Sequence, residues 1–225
     1  MGLKIAIFSD SYIPVLNGVS ISIRDLVSEL RNQGHSVHIF TARAPGGYRD
    51  SDPNVHRFWA METPWTRQYP LVLPPVYPMI GTFRREHFDI IHTHTPFTVG
   101  FVGLRWGQSH GIPVVATYHT LYDKYAHYIP YFPKRYIRYK IAKHTNFYYN
   151  QVQHVITPSD ASARWLVRHS VKSPITVIPT APAPPEFIEK AVARHQLNLP
   201  INRTILLTVG RIALEKNVRT LLEAA

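Results

Sequence analysis

The chain has 225 residues, enough for one full domain and the start of another, and its 45% apolar content is that of a globular protein able to bury a core. It has no cysteine, which excludes a disulfide frame, a thiolate nucleophile and a thiolate metal site, and which fits a cytosolic protein. The 25 Lys and Arg outnumber the 14 Asp and Glu for a formal charge of +11, a balance that favours anionic partners: nucleic acid, anionic lipid or phosphorylated ligands.

The N-terminal apolar stretch runs only from Ile5 to Phe8 before Ser9 and Asp10. It is shorter than a secretory h-region and reads as a first β-strand, not a signal peptide. No run approaches the roughly 18 apolar residues of a membrane-spanning helix. The longest, PLVLPPVYPMIG, is broken by four prolines. Strand-like runs follow in order: LKIAIF from Leu3, SVHIFTA from Ser36, FDIIHTH from Phe88, IPVVATYH from Ile112, HVITPS from His154 and ITVIPT from Ile175. They are rich in Val and Ile and apolar throughout, as strands covered on both faces are.

Helical patterns lie between them. Ile23, Leu26, Val27 and Leu30 form one apolar stripe, and Gly34 follows as a C′ residue. Further helices are expected over 97–110, closed by Gly111, over 133–150 and over 161–170. Strand–helix alternation with short connections predicts an α/β fold, a Rossmann-like doubly wound parallel sheet, over residues 1–179. The proline-rich APAPPEF then opens a linker, 180–199, with one short helix over 186–196. RTILLTVG at 203–210 reads as the first strand of a second α/β domain, begun over 200–225.

Five stretches carry chemistry. In FSDSYIPVLNGVSISIRDL a strand ends, a loop carries Asn17-Gly18, and a helix starts near Ser20. Gly18 lets backbone approach a ligand, and the helix N-terminus favours an anion; the alternative is a left-handed glycine before a helix. The spacing is not that of a nicotinamide-dinucleotide loop. His119 follows a buried strand at its carboxyl end, where α/β folds place functional side chains. Its neutral imidazole can donate to a substrate hydroxyl, or it can be a structural histidine bonded to backbone.

Around and after it, Tyr118, Tyr122, Tyr125, Tyr128, Tyr131, Phe132, Tyr136 and Tyr139 interleave with Lys124, Lys134, Arg135, Arg138, Lys140 and Lys143. This suits a membrane surface or amphiphilic ligand, nucleic-acid bases, or a half-exposed helix with Ile137 and Ile141 on the sheet. His92 and His94 share one face of a strand end, but no third ligand at matching spacing supports a metal site. Finally, VGRIALEKN places Arg211 and Lys216 just before a helix, a grip for a diphosphate. Glu215 and Glu223 read as solvated surface.

NGVSISI, THTPFTVGFVG, GIPVVATYHTLYDKYAHYIP, VITPSD, ITVIPT and VGRIALEKN together resemble glycosyltransferase family 4, retaining nucleotide-sugar transferases of the GT-B fold. The stretch TYHTLYDKYAHYIP is most similar to the diacylglycerol glucosyltransferases of that family. The resemblance implies transfer of a hexose, glucose from UDP-glucose, to a lipid acceptor. It implies that Gly18 approaches the donor diphosphate, that His119 lies near the transferred sugar, and that Arg211 and Lys216 hold the diphosphate. No cofactor or bound metal is expected, because those cations stabilise the leaving group. The implied partners are a nucleotide sugar, a lipid acceptor and an anionic membrane surface contacted by Tyr131, Phe132, Lys134, Arg135, Arg138, Lys140 and Lys143, with no nucleic acid. The implied place is cytoplasmic, peripheral on the inner face of the membrane.

Two departures stand out. The family often has a glycine after IPT, where this chain has Ala181. The family's E-x7-E motif lies deeper in the second domain, so Glu215 and Glu223 are not it. The sequence therefore reads as the acceptor-side half of a two-domain enzyme, inactive alone, to which a separate C-terminal half could dock. A soluble sugar or phospho-sugar acceptor is the alternative within the family. A basic nucleic-acid-binding module is the alternative outside it.

Overall fold

The computed structural model describes residues 2–61, 71–72, 77–123, 132–180, 187–210, 212 and 217–224. The chain divides into two units, Met1–Pro182 and Ala183–Ala225.

The first unit runs β1 (Lys4–Ser9), α1 (Gly18–Asn32), β2 (Ser36–Ala42), β3 (Val55–Phe58), β4 (Ala60–Met61), β5 (Leu71–Val72), α2 (Tyr77–Glu86), β6 (Ile90–Thr93), α3 (Thr98–His110), β7 (Val114–Thr117), α4 (Lys134–Tyr149), β8 (His154–Thr157), α5 (Asp160–Arg168) and β9 (Ile175–Val177). Seven strands form one parallel sheet in the order β3-β2-β1-β6-β7-β8-β9. The chain leaves β1 toward one edge and returns to its other side at β6. This reversal is the topological switch point, beyond which ligands bind in such sheets.

Strand alternation sends successive side chains to opposite faces. Ile5 and Ile7 of β1, with Val37 and Ile39 of β2, pack against Val19, Ile23 and Val27 of α1. Ala6 and Phe8, with Phe40 and Ala42, join the larger core of Phe83, Val99, Leu104, Trp106, Tyr148 and Tyr149. Phe8 stacks on Phe40, ring centroids 4.7 Å apart, and meets Trp106 edge-on. Helix α3 comes close enough to the sheet that a Cβ at Gly103 would lie 2.6 Å from the Phe8 ring. Gly34 follows the α1 C-cap at φ +84°, as its C′ position requires, and Gly111 is left-handed after α3. Strand β3 and helix α2 are not among the expected elements. The first is a four-residue edge strand; the second starts in the proline-rich run.

The second unit holds α6 (Lys190–Gln196) and α7 (Val218–Ala224). The Glu189 carboxylate caps α6, accepting from the amides of Ala191 and Val192 at 3.1 Å. The Arg194 guanidinium donates to the carbonyls of Pro200, Ile201 and Arg203. The strand expected over 203–210 does not form. Residues 204–209 make no ladder, and Leu206, Leu207 and Val209 are 76%, 81% and 87% exposed. A parallel strand takes its backbone hydrogen bonds from neighbouring strands, and among the described residues this run has none.

Candidate active site

At the carboxyl end of β1 the chain passes through Ser9, Asp10 and Ser11, all buried. Helix α3 begins after Phe97, which supplies no side-chain cap. Asp10 fills that role from another strand: its carboxylate accepts from the Val99 amide at 2.9 Å. The Thr95 hydroxyl accepts from the Asp10 amide at 2.9 Å and donates to the Asp10 carboxylate at 2.5 Å. These bonds tie the ends of β1 and β6 to the start of α3 across the switch point. Burial raises the Asp10 carboxyl to about 6, against these hydrogen bonds, which lower it.

The loop after Asp10 is fixed to the same strand end. Asn17 caps α1, accepting from the Ser20 amide at 2.9 Å, and donates to the Ser11 hydroxyl at 2.7 Å. From β3, Arg57 donates to the Ile13 carbonyl at 2.5 Å and to the Ala42 carbonyl at 2.9 Å. A two-pronged bond to Asp50, 2.6 and 2.8 Å, holds that guanidinium in place. Gly18 is the first residue of α1. Its φ is not positive, and a Cβ there would meet nothing within 4 Å. The left-handed reading of Gly18 is therefore wrong, and neither backbone nor packing demands a glycine.

On the other side of the switch point stand three histidines. His119 lies two residues past the end of β7, and His94 one residue past β6. His94 Nδ1 is 2.8 Å from His119 Nε2. His92 and Thr117 are joined by a 2.7 Å hydrogen bond, and the His92 ring packs on that of His94 with centroids 4.1 Å apart. Burial lowers His92 to about 3 and His119 to about 4, and holds His94 well below its usual value; neighbouring imidazoles add to the lowering for His92 and His94. All three are neutral near pH 7. They act through hydrogen bonds, not charge. Among the described residues no group of three His, Cys, Asp or Glu is placed to hold a metal ion.

The structure thus gathers His92, His94 and His119 and sets Gly18 at the start of α1, after the loop from the adjoining strand end. Arg211, Lys216, Glu215 and Tyr131 lie outside the described residues. Phe132, just before α4, and Lys134, Arg135, Arg138, Lys140 and Lys143 along it are exposed, and the inner side of the helix buries Ile137, Thr145, Tyr148 and Tyr149. Among the described residues none of these cations has an acidic partner within ion-pair distance. Glu223 pairs with Arg219 at 2.7 Å in water, as solvated surface does. Sequence reasoning missed Asp10 and Thr95. An acid directly after a buried strand was the available signal for Asp10; nothing in the sequence links Thr95 to it, 85 residues away.

An open parallel sheet with its polar side chains gathered at the switch point defines a Rossmann-like, doubly wound α/β domain. Comparison with known proteins makes this particular. The profile of Glycosyltransferase Family 4 matches residues 16–181, and the chain belongs to that family. It is 31% identical, over 99% of its length, to an alpha-monoglucosyldiacylglycerol synthase of Streptococcus pneumoniae, and 28% identical to one of Acholeplasma laidlawii over the same share. The chain spans about half the length of these relatives, 52% and 59%. Among solved structures, sucrose-phosphate synthase from Thermosynechococcus elongatus superposes with a TM-score of 0.71 at 21% identity, covering 99% of this chain and 59% of that one. This likeness shows the fold.

Proposed function

We propose that residues 1–179 form the acceptor side of a retaining hexosyltransferase that moves glucose from a UDP-sugar to a lipid hydroxyl such as that of diacylglycerol. One observation carries the reading: the similarity to two glucosyldiacylglycerol synthases extends over 99% of the chain. In this reading the neutral His119 imidazole hydrogen-bonds the transferred sugar. The open space at Gly18 admits a diphosphate to the α1 N-terminus, where the helix dipole suits an anion. Arg211 and Lys216 neutralise the leaving diphosphate, so the chemistry needs no metal.

The lipid acceptor requires a membrane surface. Among the described residues no helix is long and apolar enough to cross one. The exposed α4 cations offer peripheral attachment instead, at about 1 kcal/mol for each Lys or Arg near an anionic leaflet. Phe132 and Tyr136, with rings 6.1 Å apart, supply an aromatic contact at the headgroups. The protein would work on the cytoplasmic face. Replacing Lys134, Arg135, Arg138, Lys140 and Lys143 by Gln is expected to weaken binding to anionic vesicles and leave neutral ones unaffected. Equal binding before and after rules out this helix as the contact.

The transfer itself is tested by fusing residues 1–179 to the remaining half of the Streptococcus pneumoniae relative. The chimera is supplied with UDP-glucose and a panel of acceptors. Glucosylation of diacylglycerol and not of soluble sugars is expected. Transfer only to a sugar or phospho-sugar would keep the family and change the acceptor. The 225-residue chain alone is expected to show no turnover, since Arg211 and Lys216 follow a run that joins no sheet. A rate near that of the chimera would overturn the two-domain reading.

A further inference from the structure

His94 and His119 share one proton, and their surroundings decide which ring supplies it. The two nitrogens, His94 Nδ1 and His119 Nε2, are 2.8 Å apart. Between two neutral rings one nitrogen must donate and the other accept. The remaining nitrogen of His94, Nε2, is buried and meets no hydrogen-bond partner. If His119 donated, His94 would accept at Nδ1 and carry its own hydrogen at Nε2, an orphaned N–H in the interior. Buried N–H groups without an acceptor are the rarer fault in folded proteins; a bare acceptor is tolerated more readily. If His94 donates from Nδ1, its Nε2 carries no hydrogen and that fault disappears. His119 then accepts at Nε2 and holds its hydrogen at Nδ1. No described residue bonds His119 Nδ1.

From this geometry we infer that His94 is a positioning residue that fixes His119 in the Nδ1–H tautomer. His119 thereby presents a hydrogen-bond donor to a neutral substrate oxygen, such as a sugar hydroxyl. His92 supports the arrangement from behind. Its ring packs on His94 and is itself anchored to Thr117 of β7, the strand that leads to His119. The lowered imidazole pKa values agree with this, because they keep both rings neutral near pH 7, and a neutral pair holds one donor and one acceptor. The consequence for catalysis rests on the proposed transferase reading; the tautomer does not.

The test uses the 225-residue chain labelled with 15N-histidine, read by long-range 1H–15N correlation near pH 7. His119→Gln identifies the His119 signals by their loss. His119 is expected with a protonated Nδ1 and a bare Nε2. His94→Phe keeps the ring bulk without a donor and is expected to move His119 toward its Nε2–H form. His94→Gln, whose amide can donate, is expected to restore the Nδ1–H form. A wild-type His119 protonated at Nε2 overturns the inference, as does a His94→Phe spectrum with the tautomer unchanged. If His94→Phe fails to fold, the wild-type spectrum still decides. In the chimera, His94→Phe is expected to lower kcat about ten-fold with KM nearly unchanged, and His94→Gln to recover most of the loss. A chimera with no transfer at all would sink the transferase reading and leave the tautomer to the spectrum.

Discussion

Two apolar runs of similar chemistry, KIAIFS at 4–9 and TILLTV at 204–209, take opposite forms. The first is the central strand β1, paired along its length with β2 on one side and β6 on the other. Its alternate side chains enter two separate cores. The second has no ladder, and three of its apolar side chains are more than three-quarters exposed. Both runs have the Ile, Leu and Val content that suits a buried strand. What differs is the company. A helix closes its hydrogen bonds within itself, whereas a parallel strand closes none without a neighbour. Strand propensity measures fit to an existing pleated surface more than any intrinsic preference.

The largest expected effect tests that contrast directly. Phe8→Ala removes a fully buried ring that contacts Phe40, Phe83 and Trp106 and should cost about 3–5 kcal/mol in urea unfolding. Leu207→Ala should stay within about 0.5 kcal/mol. Comparable losses at the two sites would mean that the 204–209 run is packed after all. Leu207→Lys is expected to reduce self-association in sedimentation, because an exposed apolar run invites pairing between chains.

The helix over β1 gives the next effect. A Cβ at Gly100 would fall 1.7 Å from the Thr95 carbonyl oxygen, which is backbone and cannot swing aside. Gly100→Ala should therefore destabilise by about 3 kcal/mol, at the upper end of overpacking. A near-neutral result would show that α3 sits further from the switch point than described.

A pH titration sharpens the same region. His119 and His92 have folded values of about 4 and about 3, below the usual 6.5, and His94 is lowered as well. As pH falls below 6.5 the unfolded chain takes up these protons first, so the three histidines lose stability on acidification. Asp10 acts oppositely. Its folded value of about 6 lies above 3.8, so between those values it gains stability as pH falls. Three imidazoles outweigh one carboxyl, and Tm should drop by about 5 °C or more from pH 6.5 to 4. His119→Gln should make that slope shallower. An unchanged slope would place His119 in water.

The smallest effect is at Gly18. It heads a helix with open space around it, so Gly18→Ala should leave stability unchanged or raise it by up to about 1 kcal/mol. A loss like that at Gly100 would give Gly18 a structural duty and remove the reason to reserve its space for a ligand.

Much of the first unit is legible in the sequence. The six strand runs of the sequence became β1, β2, β6, β7, β8 and β9, and the helical stripes became α1, α3, α4 and α5. Both-face burial leaves a strong mark, an unbroken Val and Ile run, and the glycines at 34 and 111 mark helix ends. Strand β3 left no such mark, because VHRF is only four residues long and sets two polar residues, His56 and Arg57, between its apolar ends. Helix α2 was hidden by the prolines around its start.

The sequence by itself determined the fold class, most elements of the sheet, the place of His119 just past a strand end and that of Gly18 where a helix begins. These follow from local periodicity and from residues whose backbone geometry is restricted. Only the tertiary structure decided that Asp10 caps α3 while Thr95 holds it, that His94 bonds His119 from 25 residues away, and that 204–209 is not a strand. Each of these depends on partners remote in sequence. A hydrogen bond or a ladder exists only where the fold brings both of its halves together, and one run of residues records only one half.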